Sequence, residues 1–302
     1  MKVVVSGATG RIGSLLVQAL KARGDEVTAL SRDARRASER LEVEAVGWDP
    51  GAEPAPAGAL EGRDAVVHLA GEDVGQRWTA AAKRAIRDSR EAGTRRLVEG
   101  LRAARRAPRT LVSASASGFY GARGDERVTE RDPPGRDWLA DFCVRWERAA
   151  DAAAADGVRV AKIRTGVVLD AGGGALAKML PPFKAGIGGP VAGGRQYMPW
   201  IHRDDLVGLY LAALDAPDLS GPVNASAPEP VTNRTFSKTL GRVLGRPAIA
   251  PIPALAIKAL YGEMAQIVTA GVRMVPARAV DELRHPFAFG DVEAALRDVL
   301  GR

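Results

Sequence analysis

The sequence predicts an α/β protein in which a doubly wound parallel sheet carries a smaller C-terminal lobe. Three observations predict it: a β-branched run opens the chain, a glycine-rich turn and an apolar helix follow, and strand-like segments then alternate with helix-like segments. Parallel strands covered by helices on both faces form nearly continuous apolar runs, as Val3–Val5 and Ala65–Val67 do. This pattern is typical of the Rossmann-type fold.

The first turn has the spacing of a dinucleotide-binding loop. Its first glycine allows a sharp turn, its second lets the backbone approach a pyrophosphate, and its third lets the next helix pack on the strand. The helix N-terminus then offers free N–H groups to the phosphates. A glycine-rich turn without a ligand is the alternative interpretation. The expected cofactor contacts are Gly7, Thr9, Gly10, Arg11, Ile12 and Gly13.

The later elements are predicted from hydrophobic periodicity. Strands are expected at residues 26–30, 41–46, 65–71, 110–113 and 158–163, a surface loop at 50–59, and helices at 79–105, 138–154, 204–215, 233–244 and 254–270. Glycine and proline become dense after residue 166, which predicts a substrate lobe over the carboxyl ends of the strands. We therefore divide the chain into a dinucleotide-binding domain, 1–165, and a lobe, 166–302, some of whose segments return to the core.

Composition excludes several classes of protein. The chain has 302 residues, 46% of them hydrophobic and 26% charged, as expected of a globular protein. Its net charge of +7 comes from dispersed arginines without a stacking platform of aromatic residues, which argues against nucleic acid as a partner. The three histidines lie far apart, so no spacing resembles a zinc site.

The expected location is the cytoplasm. Cys143 is the single cysteine, so no internal disulfide forms, which suits a reducing compartment. The first strand begins near the start of the chain and leaves no room for a signal peptide. No apolar run approaches the roughly 20 residues that span a bilayer, so no membrane partner is expected. A small-molecule substrate is expected, and the oligomeric state is left open.

The end of the second strand distinguishes NAD from NADP. Proteins that bind NAD place an acidic residue there, which contacts the 2′-hydroxyl of the ribose. Here the strand ends with Ser31 and Arg32, and a hydroxyl with a guanidinium suits a 2′-phosphate. A small shift in the alignment would instead place Asp33 at the acidic position, and Arg32 would alternatively be an ordinary exposed arginine. We predict NADP as the cofactor.

Several stretches together resemble the extended short-chain dehydrogenase/reductase family, of the sugar-nucleotide epimerase and dehydratase type. They are Gly7–Gly13, Asp64–Gly71, Ser113–Gly121 and Trp200–Leu206. A further set resembles an atypical branch of that family, usually called epimerase family proteins. That set is Gly71–Glu72, Arg77–Thr79, Ser89–Arg90, Trp146–Glu147, Arg164–Leu169 and Gly172–Leu176. The resemblance covers nearly the whole chain and implies an NADP-binding Rossmann fold, but no particular substrate.

Carried over position by position, the resemblance implies further cofactor contacts. They are Leu69, Ala70, Gly71, Arg90, Ser113, Ala114 and Arg164. The first three would follow the adenosine and ribose-phosphate side, and the serine and alanine would lie beside the nicotinamide ribose. Arg90 stands where related proteins carry an asparagine. For Arg164, a salt bridge at the edge of the sheet is the alternative.

The usual acid/base pair of this superfamily is missing. Members use a Tyr with a Lys four residues later, and that Lys lowers the pKa of the Tyr. No such pair occurs in this sequence, and alignment on Glu147 puts Leu139 and Cys143 at the two positions. The other candidates for proton transfer are Glu72, Ser115, Tyr120 and His202. Tyr120 is the first candidate among the possible proton donors, with Arg164 or Arg90 lowering its pKa, and the alternative is that its ring only lines the site.

Three functions are compatible with these residues. In the first interpretation, the protein is an NADP-dependent oxidoreductase or epimerase that acts on a small substrate, such as a sugar nucleotide. It would use proton carriers other than the Tyr–Lys pair. Alternatively, it binds NADP(H) without turnover and reports redox state to a partner. In the third interpretation it is a structural subunit whose cofactor only stabilises the fold. Oxidation of the cofactor by a carbonyl substrate distinguishes the first from the others.

Overall fold

A computed structural model of the protein describes residues 1–302. The strands are β1 (Lys2–Ser6), β2 (Glu26–Ser31), β3 (Glu44–Gly47), β4 (Ala65–His68), β5 (Thr110–Ala116), β6 (Arg127–Val128), β7 (Arg159–Thr165), β8 (Val167–Leu169), β9 (Tyr197–Met198), β10 (Trp200–His202), β11 (Gly221–Ala225), β12 (Val231–Thr232) and β13 (Arg273–Met274). The α-helices are α1 (Arg11–Ala22), α2 (Ala34–Leu41), α3 (Ala57–Leu60), α4 (Ala80–Ala103), α5 (Trp138–Asp151), α6 (Gly174–Lys184), α7 (Arg203–Asp215), α8 (Asn233–Leu244), α9 (Ala254–Tyr261), α10 (Ala265–Thr269), α11 (Ala277–Asp281) and α12 (Val292–Leu300). Short 3-10 helices lie at Ser117–Tyr120, Ala152–Asp156 and Ala192–Gly194.

The central sheet has seven strands in the order β11-β7-β5-β4-β1-β2-β3. All of its neighbouring pairs are parallel. From β1 the chain builds outward through β2 and β3, then returns to the other side of β1 with β4. The crevice at the carboxyl ends of β1 and β4 is therefore the switch point at which open α/β sheets bind ligands. The predicted doubly wound parallel sheet is confirmed.

Alternate side chains of β1 enter two separate cores. Val3 and Val5 pack in a cluster with Leu16 of α1 and Leu209 of α7, whereas Val4 packs in a second cluster with side chains of α4. Because successive residues of a strand point to opposite faces, one β-branched run stabilises both layers of helices. Full burial of each such side chain contributes about 1.5–3 kcal/mol.

Segments beyond residue 165 contribute to both parts of the molecule. Strand β11 pairs with β7 and forms an edge of the central sheet, and α7 packs against α1. The rest of the lobe contains a separate apolar cluster that includes Leu176, Phe236 and Leu296. The division at residue 165 stays a prediction, and the core is built from segments on both sides of it.

The region after β2 differs from the sequence prediction. Residues 34–41 form α2, which the prediction omitted, and Leu41 ends that helix instead of beginning a strand. Strand β3 therefore starts later, at Glu44. Ala37 and Leu41 lie one helical turn apart and are the buried positions of α2, while charged side chains cover the rest of this short helix. Residues 57–59, the end of the loop predicted at 50–59, form α3 together with Leu60.

Two further boundaries differ. The strand predicted at 65–71 ends at His68, so residues 69–71 leave the sheet and are free to face a ligand. The helix predicted at 254–270 is divided into α9 and α10 by Gly262, whose φ of +63° is a left-handed conformation that favours glycine. None of the helices combines the length and apolar character required to cross a membrane.

Candidate functional site

The glycine turn after β1 is shaped by close backbone contacts. A Cβ on Gly7 would lie 2.7 Å from the carbonyl carbon of Leu69, and one on Gly13 would lie 2.2 Å from the Gly7 oxygen. Side chains at these positions would therefore separate β1 from the loop after β4, and α1 from β1. A Cβ on Gly10 would meet only the Gly7 oxygen, at 3.1 Å. The N-terminus of α1 thus forms an open cradle of backbone N–H groups that fits a diphosphate.

Basic residues surround the end of β2. The Asp33 carboxylate accepts a 3.0 Å hydrogen bond from the Arg36 backbone N–H and caps α2. Arg32 is exposed beside it. From the last turn of α2, Arg40 donates a 3.0 Å hydrogen bond to the carbonyl of Thr9 in the glycine turn. The acidic residue that would suit a free 2′-hydroxyl is therefore engaged as a helix cap.

The loop after β4 rests on Arg90 of α4. The Arg90 guanidinium donates a 2.8 Å hydrogen bond to the Glu72 carbonyl, and a Cβ on Gly71 would lie 2.7 Å from its Cζ. The hydroxyl of Ser89 accepts a 3.0 Å hydrogen bond from the Glu72 backbone N–H. The guanidinium also lies 5.1 Å from the ring centroid of Trp146. Arg90 thus supports the backbone of residues 71–72, while the Glu72 side chain remains exposed.

A buried polar network lies beneath the end of β5. Glu147 of α5 accepts a 2.6 Å hydrogen bond from the Ser115 hydroxyl and a bidentate pair, at 2.7 and 2.9 Å, from the Arg164 guanidinium. Arg164 also donates to the Tyr120 hydroxyl at 2.9 Å, and that hydroxyl donates to Asn224 Oδ1 at 2.6 Å. Every member is buried. The arrangement is the salt bridge considered above as the alternative for Arg164.

Arg164 acts on the pKa of Tyr120 in the expected direction, but the pKa is not lowered overall, and Arg90 is not among the groups that shift it. Burial is the largest influence and raises the pKa of the Tyr120 phenol to about 12, although attraction to Arg164 opposes it. The phenol therefore keeps its proton at neutral pH and uses it in the bond to Asn224. Ser115 likewise donates its proton inside the network. Neither hydroxyl is free in this arrangement, and a catalytic role for either stays a prediction.

Leu139 and Cys143 occupy the two positions at which related proteins carry the Tyr–Lys pair, and both have apolar surroundings. Leu139 packs against Gly118, where a Cβ would lie 2.6 Å from the leucine side chain. Cys143 is fully buried, and burial raises the pKa of its thiol. His202 is fully buried as well, and both of its ring nitrogens have partners, Asp298 at 3.0 Å and the Asp204 backbone N–H at 3.2 Å. This histidine joins α7 to α12 and has no nitrogen free for proton transfer.

Sequence reasoning missed three residues of this region. Glu147 was recognised only as part of a motif, although a carboxylate one turn after Cys143, on the apolar stripe of α5, indicates a buried partner. The residues around Asn224 in the sequence do not indicate that it is buried and hydrogen-bonded, because its partners come from distant parts of the chain. Asp170 is buried and accepts hydrogen bonds from Arg11 at 2.6 and 2.7 Å. The glycines after it, together with the arginine in the first turn, were the available clue.

The fold and the glycine turn define a dinucleotide-binding α/β protein. Residues 3–225 match the model of the NAD dependent epimerase/dehydratase family, and residues 252–299 match a domain of unknown function, DUF1731. The chain belongs to this epimerase/dehydratase family and, within it, is related to the epimerase family proteins.

Relatives and solved structures support that assignment. The chain is 41% identical over 303 residues to the chloroplastic SDR39U1 homolog of Arabidopsis thaliana. The alignment covers 99% of this chain and 87% of the plant protein. It is also similar to the human epimerase family protein SDR39U1, crystallised with NADPH, with 33% identity, a TM-score of 0.88 and full coverage of both chains. MoeE5, solved with UDP-glucose and NAD, shares the fold at 22% identity and a TM-score of 0.79, with 99% and 98% of the two chains covered.

Proposed function

We propose that this chain binds NADP(H) in the crevice between the carboxyl ends of β1 and β4. The observation that carries the proposal is the basic end of β2, where Asp33 is engaged as a helix cap and Arg32 is exposed. A guanidinium at this position favours a phosphate on the ribose over a free hydroxyl. The similar human protein crystallised with NADPH supports the same cofactor.

The residues that would hold the cofactor follow from the crevice. The backbone N–H groups of the first turn of α1 would bind the diphosphate, and Arg32 with Ser31 would bind the 2′-phosphate. Leu69, Ala70 and Gly71 would border the adenosine side. Ser113 and Ala114 lie on the neighbouring strand, β5, where Ser113 is in register with His68, the last residue of β4, and the nicotinamide ribose is expected beside them.

The experiment is the substitution Arg32→Ala, with Arg35→Ala as a matched control. Arg35 lies in the first turn of α2 but pairs with Glu39 at 2.9 Å. We expect Arg32→Ala to weaken NADPH binding about tenfold, about 1.4 kcal/mol, and to leave NADH binding nearly unchanged. Fluorescence titration measures both affinities. An equal loss for the two cofactors, or an equal loss in the control, would show that Arg32 does not read the phosphate.

Redox chemistry on a small substrate is the activity that we propose for the bound cofactor. A nicotinamide dinucleotide supplies a hydride donor or acceptor. The proton must then come from a group other than the usual Tyr–Lys pair, and Glu72 is an exposed carboxylate at the same edge of the sheet. If Glu72 transfers the proton, Glu72→Gln lowers kcat by about 10²-fold or more at unchanged NADPH affinity.

A second function, NADP(H) binding without turnover, is favoured by one observation. The hydroxyls of Ser115 and Tyr120 are both committed to the network around Glu147 and Arg164. A protein of this kind would report the redox state of the cofactor to a partner. NADPH oxidation by a panel of carbonyl compounds, sugar nucleotides included, decides between the two functions. Turnover supports the enzyme, and its complete absence together with tight binding supports the sensor.

A further inference from the structure

The segment 170–184 passes from β8 through a glycine loop into α6, and it contacts both loops that border the crevice. We call this segment the strap. One border is the glycine turn after β1, and the other is the loop 69–75 after β4. Since β1 and β4 are adjacent in the sheet, a segment fastened to both loops spans the crevice between them.

The first tie is the ion pair between Arg11 and Asp170. The Arg11 guanidinium reaches the two oxygens of Asp170 at 2.6 and 2.7 Å, and the Asp170 side chain is only 5% exposed. Asp170 also accepts from the Gly172 N–H at 3.0 Å and from Arg203 at 3.4 Å. Burial alone would raise the pKa of Asp170, but the bonds from Arg11 and Gly172 outweigh it and lower that pKa. The carboxylate therefore stays charged at neutral pH.

The glycines of the strap make room for this tie. A Cβ on Gly172 would lie 2.0 Å from the Arg11 guanidinium, and one on Gly173 would lie 3.2 Å from the Arg11 side chain. The arginine side chain therefore extends directly across these two residues. A side chain at residue 172 would displace the guanidinium from Asp170. The ion pair in this geometry therefore requires glycine at this position.

The second tie joins α6 to the other border. The Lys178 ammonium lies 3.5 Å from Asp73 and donates a hydrogen bond to the Gly75 carbonyl. Asp73 and Lys178 are 71% and 43% exposed, so this tie is more accessible to water than the first. Exposed ion pairs contribute about 0–1 kcal/mol. Arg11 is itself 55% exposed, so the bidentate geometry and the buried Asp170 carboxylate make the first tie the stronger of the two.

We infer that the strap closes over the dinucleotide crevice and that Arg11, Asp170 and Lys178 are positioning residues that limit the rate at which the dinucleotide enters and leaves. The inference rests on the proposed NADP(H) binding and adds a gate to it. A closed strap hinders association and dissociation alike. Loss of a tie therefore changes both rate constants in the same direction and leaves their ratio, the Kd, little altered.

The experiment is stopped-flow measurement of NADPH binding to the full chain. Asp170→Asn removes the charge of the first tie and leaves Arg11 in place, and Lys178→Met removes the second tie. Arg23→Gln is the matched control, because Arg23 pairs with Asp25 at 2.6 Å just past the other end of α1. We expect Asp170→Asn to accelerate association and dissociation about tenfold each, about 1.4 kcal/mol of barrier, with Kd within about threefold of wild type. Lys178→Met should act in the same direction with a smaller effect.

Two further measurements keep the inference falsifiable. Hydrogen exchange of the α6 amides in the cofactor-free protein should accelerate in Asp170→Asn and not in Arg23→Gln. The conservative variant Asp170→Glu, which keeps the negative charge of the first tie, should retain rate constants closer to those of the wild type than Asp170→Asn does. Unaltered rate constants in Asp170→Asn, or faster dissociation without faster association, would overturn the inference that the strap limits exchange of the dinucleotide. Failure of the wild-type protein to bind NADPH would instead refute the proposed function.

Discussion

At the scale of single residues, the state of a polar group follows from its partners and its burial. Arg164 offers five N–H donors, and Glu147 and Tyr120 receive those that point into the interior. Buried charges are tolerated when they are paired in this way, and removal of one partner leaves the other uncompensated. Tyr120, although it lies next to a cation, still has a raised pKa, because desolvation of the phenol outweighs the attraction to Arg164 and the charge of Glu130 acts in the same direction as burial.

The first prediction at this scale concerns the Tyr120 hydroxyl. Tyr120→Phe keeps the ring but leaves Asn224 Oδ1 without its donor and removes the oxygen that Arg164 contacts. Each unsatisfied buried group costs about 1–3 kcal/mol, so urea unfolding should show a loss of about 2–3 kcal/mol with unchanged NADPH affinity. Tyr261→Phe is the control, since Tyr261 is partly exposed. A stable variant with weakened NADPH binding would place the hydroxyl in the cofactor site instead.

At the scale of elements, the sequence was informative where local chemistry decides the structure. The β-branched run, the glycine spacing and the apolar stripes of α4 and α5 located most of the sheet and its covering helices. Helix α2 was missed because only Ala37 and Leu41 of its eight residues are buried, which is too few for a periodic signal. Its cap, Asp33, was considered only as a cofactor ligand, although an acidic residue before a charged segment is equally a helix N-cap.

Contacts between distant segments had no local signal. The network under β5 joins residues from β5, the 3-10 helix Ser117–Tyr120, α5, β7 and β11. The ties of the strap join α1 to Asp170, which precedes α6, and the loop after β4 to Lys178 of α6. Glu147 was within reach of sequence analysis, because its position among apolar residues of α5 requires a buried cation. Asn224 was not, since its partners depend on which strand lies at the edge of the sheet.

The element-scale prediction concerns His68, which joins three elements. Its Nδ1 shares a 2.6 Å hydrogen bond with the Ser6 hydroxyl of β1, and its Nε2 shares a 3.1 Å hydrogen bond with the Thr94 hydroxyl of α4. Burial lowers the pKa of His68 from 6.5 to about 4, and the charge of Arg90 acts in the same direction. The unfolded chain therefore takes up a proton below pH 6.5 while the folded chain does not. Stability is fully present above pH 6.5 and falls as the pH drops towards 4.

The expected loss between pH 7.5 and pH 5 is about 2 kcal/mol from this residue. Urea unfolding at pH 7.5, 6 and 5 measures it, and His68→Gln provides the comparison because glutamine does not titrate. The variant is expected to be less stable at pH 7.5 and to lose less of its stability on acidification. Equal pH dependence in the two proteins would mean that folding does not lower the pKa of His68.

At the scale of the whole molecule, the lobe and the core share one set of buried contacts. Strand β11 reaches the sheet from the lobe, and Asn224 on it accepts from Tyr120 and donates to the Val275 carbonyl at 2.9 Å. The backbone N–H of the same asparagine donates to Glu130 at 2.9 Å, and Glu130 also accepts from the Arg278 N–H. Core and lobe therefore meet through hydrogen bonds that neither can satisfy alone, which predicts a single cooperative unfolding unit.

The prediction is tested with Asn224→Leu, which keeps the approximate volume and removes both side-chain hydrogen bonds. We expect a loss of about 3 kcal/mol, because at least two buried groups lose their partners. Native-state hydrogen exchange in urea reports on β1 for the core and on α8 for the lobe, and both sets of amides should lose the same free energy. Asn233→Leu, which removes the bond from the Val191 N–H within the lobe, should likewise lower the protection of β1. If α8 loses protection while β1 retains its wild-type value in either variant, core and lobe unfold as separate units.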